Sequence, residues 1–308
     1  MKNFINLKDI PASDLRKIIE DAKKRKKKRK KFNTLEEDHD KPLKGKLLIQ
    51  MFEKSSLRTR LSFYLAIKQL GGGALTLRTD ELHLAKGGET IEDTAKILST
   101  YGNGFMLRSD SDEKLEEFSK HLTIPIINGL SPSSHPTQVL SDVFTVEEIK
   151  KKPISKLNIC WIGDSNNVLD SLIAASVKFS FKLSIGCPKK FEPGTQVRDW
   201  VKKNNKKLFI YNDAKKAAEG ADVMFSDKVI SLNDKVNKKK KIEQFKNFTI
   251  DKELLKFSNN AIFLHCLPRG NEVSNEVFLG KNSYVWQQAL NRVHVQKSIL
   301  LYCFGKLR

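Results

Sequence analysis

The chain has 308 residues, 39% of them hydrophobic, and carries a formal charge of +20 from 56 Lys and Arg against 36 Asp and Glu. That length accommodates two domains with separate cores, and no apolar run approaches the ~20 residues of a membrane helix. The four cysteines, Cys160, Cys187, Cys266 and Cys303, are scattered without metal-ligand or redox-motif spacing.

The first ten residues lack the apolar core of a signal peptide, so a cytoplasmic location is expected. An amphipathic helix with Leu15, Ile18, Ile19 and Ala22 follows and runs into nine consecutive basic residues, 23–31. A second basic cluster comprises Lys235 and residues 238–241. Neither cluster is interleaved with aromatics that stack on bases. They read as a solvated helix end and a solvated loop rather than a nucleic-acid interface. Their field draws anionic substrates toward the surface.

After a polar connector at 33–42, strand-like runs at 47–52, 74–77, 104–107 and 124–128 alternate with helical patterns at 59–70, 90–100, 113–121 and 137–149. Lys150, Lys151, Lys152 and Pro153 break the series. A second one has strands at 157–162, 183–186, 208–211, 223–225 and 261–265, with helices at 167–179, 195–203 and 213–218. A last helix is expected at 287–304. The predicted fold is α/β: two doubly wound domains, each a mainly parallel sheet flanked by helices. The boundaries are 1–149 and 150–286, with 287–308 crossing back to the first domain. The turn after the 157–162 strand lacks G-x-G-x-x-G, which argues against a dinucleotide site. Ligands of such sheets sit beyond the carboxyl ends of strands, where one composite site between the domains is expected.

Three segments at strand ends carry chemistry. Ser56, Arg58, Thr59 and Arg60 open a helix, whose free N–H groups and positive dipole end suit a phosphate-like dianion. Arg108 ends a buried strand. His135, Pro136, Thr137 and Gln138 start another helix, where a histidine of lowered pKa donates a hydrogen bond to a carbonyl while neutral. His265 and Cys266 end the 261–265 strand on opposite faces. The histidine is therefore a poor base for Cys266, which reads as a positioning group rather than a nucleophile.

The motifs F-E-K-S-S-L-R-T-R-L-S-F, S-H-P-T-Q-V-L-S-D and L-H-C-L-P-R together resemble the ornithine carbamoyltransferases of the aspartate/ornithine carbamoyltransferase superfamily. The resemblance runs from the first helix to A-L-N-R-V-H-V-Q-K, and Cys266 stands where aspartate carbamoyltransferases carry proline. It implies carbamoyl transfer from carbamoyl phosphate to the δ-amine of ornithine, giving citrulline for arginine biosynthesis. It also implies no metal, no organic cofactor and a homotrimer. The first domain would bind carbamoyl phosphate through Ser56, Leu57, Arg58, Thr59 and Arg60. Arg108 and His135 would polarise the carbamoyl oxygen, with Pro136 and Thr137 beside them, and Gln138 would hold the carbamoyl amine. Cys266, Leu267 and Arg292 would complete that pocket. A neighbouring subunit would lend His83, or Lys86. Asn167, Asp227, Ser231 and Leu232 would bind ornithine.

The chain departs from the family at Leu57 and Leu290, where Thr and Glu are usual, at His83, which aligns with the family's glutamine, and before Glu89, where one residue is inserted. The family's D-x-W-x-S-M-G loop reads Asp227, Lys228, Val229, Ile230, Ser231, Leu232, Asn233. Two alternatives therefore stand beside the main reading: a carbamoyltransferase for another amine, such as an N-acylated ornithine, and a non-catalytic binding relative.

Overall fold

The computed structural model describes residues 1–78, 88–204, 207–230 and 237–307. The chain divides into two compact units, Met1–Phe144 with Leu290–Arg308, and Thr145–Ala289.

The first unit contains α1 (Ala12–Lys28), β1 (Leu47–Phe52), α2 (Leu57–Gln69), β2 (Gly73–Arg78), α3 (Ile91–Tyr101), β3 (Gly104–Arg108), α4 (Asp112–His121), β4 (Ile126–Leu130) and most of α5 (Pro136–Lys150). The four strands form a parallel sheet in the order β2-β1-β3-β4. Alternation along β1 and β3 turns Ile49, Met51, Phe105 and Leu107 to one face, where they pack with Ala95, Leu98, Leu115 and Phe118. Helix starts are set by side chains: Ser56, Thr90 and Ser111 each accept the N–H three residues on, beginning α2, α3 and α4. β4 starts two residues later than its apolar run suggests. Pro125 has no N–H to donate, so ladder pairing begins after it.

The second unit contains β5 (Asn158–Ile162), α6 (Asn167–Phe179), β6 (Lys182–Gly186), α7 (Thr195–Asn204), β7 (Leu208–Tyr211), α8 (Ala214–Ala218), β8 (Val223–Ser226), α9 (Lys238–Gln244), α10 (Lys252–Leu255), β9 (Ile262–His265) and α11 (Asn275–Phe278). Its parallel sheet has the order β7-β6-β5-β8-β9. The last helix, α12 (Val285–Cys303), begins in the second unit and ends in the first. No helix among the described residues is long and apolar enough to cross a membrane.

Two basic clusters differ from the solvated reading. Residues 238–241 begin a helix rather than a loop, and Lys241 is buried. Its Nζ lies 2.6 Å from Asp164 Oδ2 and 5.6 Å from the centre of the Phe191 ring. Likewise Arg25 and Arg29 turn inward at the end of α1. Asp38 accepts from Arg25 (3.0 Å), Arg29 (2.8 Å) and the fully buried Lys297 of α12 (2.6 Å). Ser298 and Arg25 both reach Asp21, at 2.6 and 3.1 Å. Composition marks these lysines and arginines as surface groups; a buried carboxylate in reach makes them internal. Burial lowers the Lys297 ammonium to about 8 against the attraction of Asp38. Burial alone would raise Asp38, but Lys297, Arg29 and Arg25 outweigh it and hold the carboxyl below its ordinary 3.8.

Asp38→Asn should therefore destabilise the chain by about 3–5 kcal/mol, because the buried Lys297 and the half-buried Arg25 and Arg29 lose their shared carboxylate. Since the folded-state pKa is depressed, this stability is present above 3.8 and lost as pH falls through the lower folded value. Urea unfolding should show the full deficit at pH 7 and a shrinking one in acid. Equal midpoints for variant and wild type at pH 7 would contradict the role of this cluster.

Candidate active site

Strand order reverses between β1 and β3 in the first sheet, and between β5 and β8 in the second. Connections leave in opposite directions at such a point, so the carboxyl ends of the two strands border an open crevice. The strand ends flanking the first reversal carry the 53–60 segment and Arg108. Those flanking the second carry residues 163–167 and Asp227.

In the first unit the loop after β1 is tied to the loop after β3. Glu53 accepts from Ser109 Oγ (2.7 Å), Asp110 N–H (3.0 Å) and Lys114 Nζ (2.9 Å), while its own N–H donates to the Arg108 carbonyl (3.0 Å). Ser56 caps α2 by accepting from Thr59 N–H at 3.3 Å, which uses an oxygen lone pair and leaves its hydroxyl proton to donate. Arg60 lies over the Phe52 ring, 5.1 Å from its centre, as expected of a group that supports the loop. Leu57 is the first residue of α2 and 70% exposed.

Arg292, near the middle of α12, joins this loop to α5. Its Nη2 donates to Thr59 Oγ1 (2.7 Å) and its Nη1 to Gln138 Oε1 (2.8 Å), all three residues being buried. The fork of the guanidinium suits this two-point bridge as a lysine would not. Gln138 Nε2 in turn donates to Asp142 Oδ1 (2.8 Å). His135 precedes α5 in a turn where Ser131 N–H donates to the Ser134 carbonyl (2.8 Å). Burial lowers its pKa well below the ordinary imidazole value, and the charges of Arg292, Arg108 and Arg58 act in the same direction. The ring is thus neutral and faces a field of three guanidiniums. Burial, then Arg58, lowers Arg108 to about 10, which leaves it cationic at neutral pH. Arg108 Nε and Thr137 Oγ1 are buried without a hydrogen-bond partner among the described residues. Such a set can bind a dianion and polarise an attached carbonyl.

In the second unit Gly163 follows β5 with φ +145°, a conformation that favours glycine, and a Cβ there would meet Ser226 Oγ at 3.4 Å. The chain then turns into α6, capped by Asn166, which accepts from the N–H groups of Val168 and Leu169. Asn166 Nδ2 donates to Asp227 Oδ2 (3.0 Å), while Asn167 is the first helical residue. Burial raises the Asp227 carboxyl above its ordinary value against His265, the Lys228 N–H and the Asn166 hydrogen bond, and Glu272 adds to the rise. An arriving ammonium group would offset that cost. Cys266 and Leu267 follow β9, both half-buried. His265 points into the core: its Nδ1 accepts Leu267 N–H (2.9 Å), so Nε2 carries the proton and donates to Glu272 Oε1 (3.0 Å). His265 therefore supports the 266–272 turn and is no partner for the Cys266 thiol.

His83, Lys86, Ser231 and Leu232 lie outside the described residues. The sequence alone does not assign Glu53, Asp142 or Asn166 to the site. Asp142 had a signal, four residues beyond Gln138 on one helix face. Asn166 had the capping position, but Glu53 had none, since its partners come from another loop. No group of three or more His, Cys, Asp or Glu among the described residues is placed to hold a metal ion.

Residues 2–148 match the family model for the carbamoyl-P binding domain of aspartate/ornithine carbamoyltransferases, and residues 155–303 match its Asp/Orn binding domain. An ornithine carbamoyltransferase of Brucella abortus (strain 2308) is 40% identical over 306 residues, covering 98% of this chain and 96% of that protein. One of Agrobacterium fabrum is 38% identical over 307 residues, 99% of this chain and 98% of that protein. Among solved structures, ornithine carbamoyltransferase from Pyrococcus furiosus superposes with a TM-score of 0.92 at 36% identity, covering 100% of this chain and 98% of that one. The anabolic enzyme from Campylobacter jejuni gives 0.89 at 33% identity, covering 99% and 100%.

The depressed basicity of His135 is measurable. In nitrogen-15 NMR its ring should remain neutral at pH 6, below the ordinary value of 6.5. An imidazolium spectrum at that pH would contradict the electrostatics described for this site.

Proposed function

The chain belongs to the aspartate/ornithine carbamoyltransferase family, and we propose that it transfers the carbamoyl group of carbamoyl phosphate to the δ-amine of L-ornithine, releasing L-citrulline and phosphate. The observation that carries this reading is the buried Arg292 bridge from Thr59 to Gln138, with Arg108 Nε and Thr137 Oγ1 buried without a partner among the described residues, a donor set for a carbonyl oxygen attached to a phosphate.

In the proposed reaction the loop of Ser56, Leu57, Arg58, Thr59 and Arg60 receives the phosphate at the start of α2. Arg108 and His135 donate to the carbamoyl oxygen. The neutral δ-amine attacks the carbamoyl carbon, the carbonyl electrons move to oxygen, and the resulting oxyanion is stabilised by these donors. The C–O bond to phosphate then breaks, and the leaving phosphate takes the amine proton, so no side-chain base is required. Asp227 and Asn167 are assigned to ornithine, Asp227 as acceptor for an ammonium group. Cys266 and Leu267 are assigned to binding rather than covalent chemistry. The first unit is assigned carbamoyl phosphate, the second ornithine. The same reading puts the chain in the cytoplasm, in arginine biosynthesis, as a homotrimer. Supporting assembly, Leu57, Leu61 and Tyr64 form an apolar stripe at i, i+4 and i+7 on the exposed side of α2, with Leu75 on the edge strand β2.

Steady-state assays with ornithine, acetylornithine, putrescine and aspartate test the substrate. Ornithine should exceed each other amine at least about tenfold in kcat/KM, since unmatched polar groups are strongly rejected. A preference for acetylornithine would favour the second amine class, to which the altered 227–233 segment points. For assembly, Leu61→Glu should convert a three-subunit mass in sedimentation to a one-subunit mass with the helical signal unchanged. A monomeric wild type would refute the trimer.

A further inference from the structure

We propose that Asp142 is a positioning residue that fixes which end of the Gln138 amide faces the ligand, and thereby selects a carbamoyl group over an acyl group of equal size. The inference rests on the proposed function, in which Gln138 holds the carbamoyl amine.

A primary amide has a donor end and an acceptor end of nearly equal size, so packing alone does not choose between them. Its neighbours do. Gln138 Nε2 is 2.8 Å from Asp142 Oδ1, and Gln138 Oε1 is 2.8 Å from Arg292 Nη1. An ionised carboxylate only accepts and a guanidinium only donates. Both neighbours therefore demand one orientation. Turning the amide over would oppose carbonyl to carboxylate and NH2 to guanidinium, exchanging two charge-assisted hydrogen bonds for two repulsive contacts.

All three residues are at most 2% exposed, so water does not rescue the wrong orientation. Arg292 is further committed to Thr59 Oγ1 at 2.7 Å, which fixes the direction from which it reaches Gln138. Asp142 is held one turn along α5, at the i, i+4 spacing that faces Gln138. In this orientation Gln138 Oε1 uses one lone pair on Arg292 and keeps a second for an N–H donor. A carbamoyl group has that N–H. An acetyl group, with methyl in the same place, does not. Neither the carboxylate nor any atom of Asp142 needs to touch the ligand for this selection.

The test is binding of three probes, carbamoyl phosphate, acetyl phosphate and inorganic phosphate, to the full chain and to Asp142→Asn. The carboxamide at 142 can present either end to Gln138, so Arg292 alone is left to set the orientation of the amide, with little change in volume. The preference for carbamoyl over acetyl phosphate should fall about tenfold, while inorganic phosphate binds within about twofold of wild type. An unchanged preference overturns the proposal. So does parallel weakening of all three probes, which is the signature of a purely structural role. If Asp142→Asn does not fold, Asp142→Ser reads the same ratio: a reduced preference supports the proposal and an unchanged one overturns it. The wild type separates the two levels. Failure to prefer carbamoyl phosphate over acetyl phosphate would remove the proposed function, and this inference with it. A preference kept in both wild type and variant removes the inference alone.

Discussion

The reversal of strand order within each parallel sheet is the constraint from which the rest follows. Parallel strands need crossover connections, and these pack helices on both faces. Where successive connections leave in opposite directions, a crevice forms outside the carboxyl ends of the two strands. In the first unit this point lies between β1 and β3; in the second, between β5 and β8. Every described site residue of a strand-end loop lies beside one of these reversals, except those following β4 and β9. The chemistry sits where the backbone cannot close over it.

The first unit solves an electrostatic problem at its reversal. Arg58, Arg108 and Arg292 converge on His135, and bringing like charges together in a buried place opposes folding. The relief is distributed. His135 stays neutral, Arg108 is less basic than usual, and Arg292 spends its donors on Thr59 and Gln138. A dianion would complete the set, which is why such a site binds phosphate readily. The loops that carry Arg58 and Arg108 are fastened to each other by Glu53.

Outside the site, the basic residues of this chain serve two different ends. Most are solvated and contribute only field. A few are structural: Lys241 with Asp164, and Lys297, Arg25 and Arg29 with Asp38. Nothing in the 238–241 run distinguishes Lys241 from its neighbours, because Asp164 lies 77 residues away. Lys297 and Asp38 are separated by 259 residues, so only the packing of α12 reveals the pair.

The sequence by itself determined the α/β alternation, the two-part organisation and the strand-end positions of Arg58, Arg108, His135 and Cys266. Those features depend on local periodicity and on turn residues, which are written in adjacent positions. It also pointed to the family through three motifs whose residues are near neighbours. Tertiary structure alone decided which groups act on which. The Arg292 bridge, the Glu53 tie, the Asn166–Asp227 bond and the orientation of the Gln138 amide each join residues whose contact depends on how helices and strands pack. Even the i, i+4 pair of Gln138 and Asp142 acquires meaning only once Arg292 arrives from the other end of the chain. The physical reason is range: propensity and capping act within a few residues, whereas charge compensation and amide orientation are set by whatever the fold brings near.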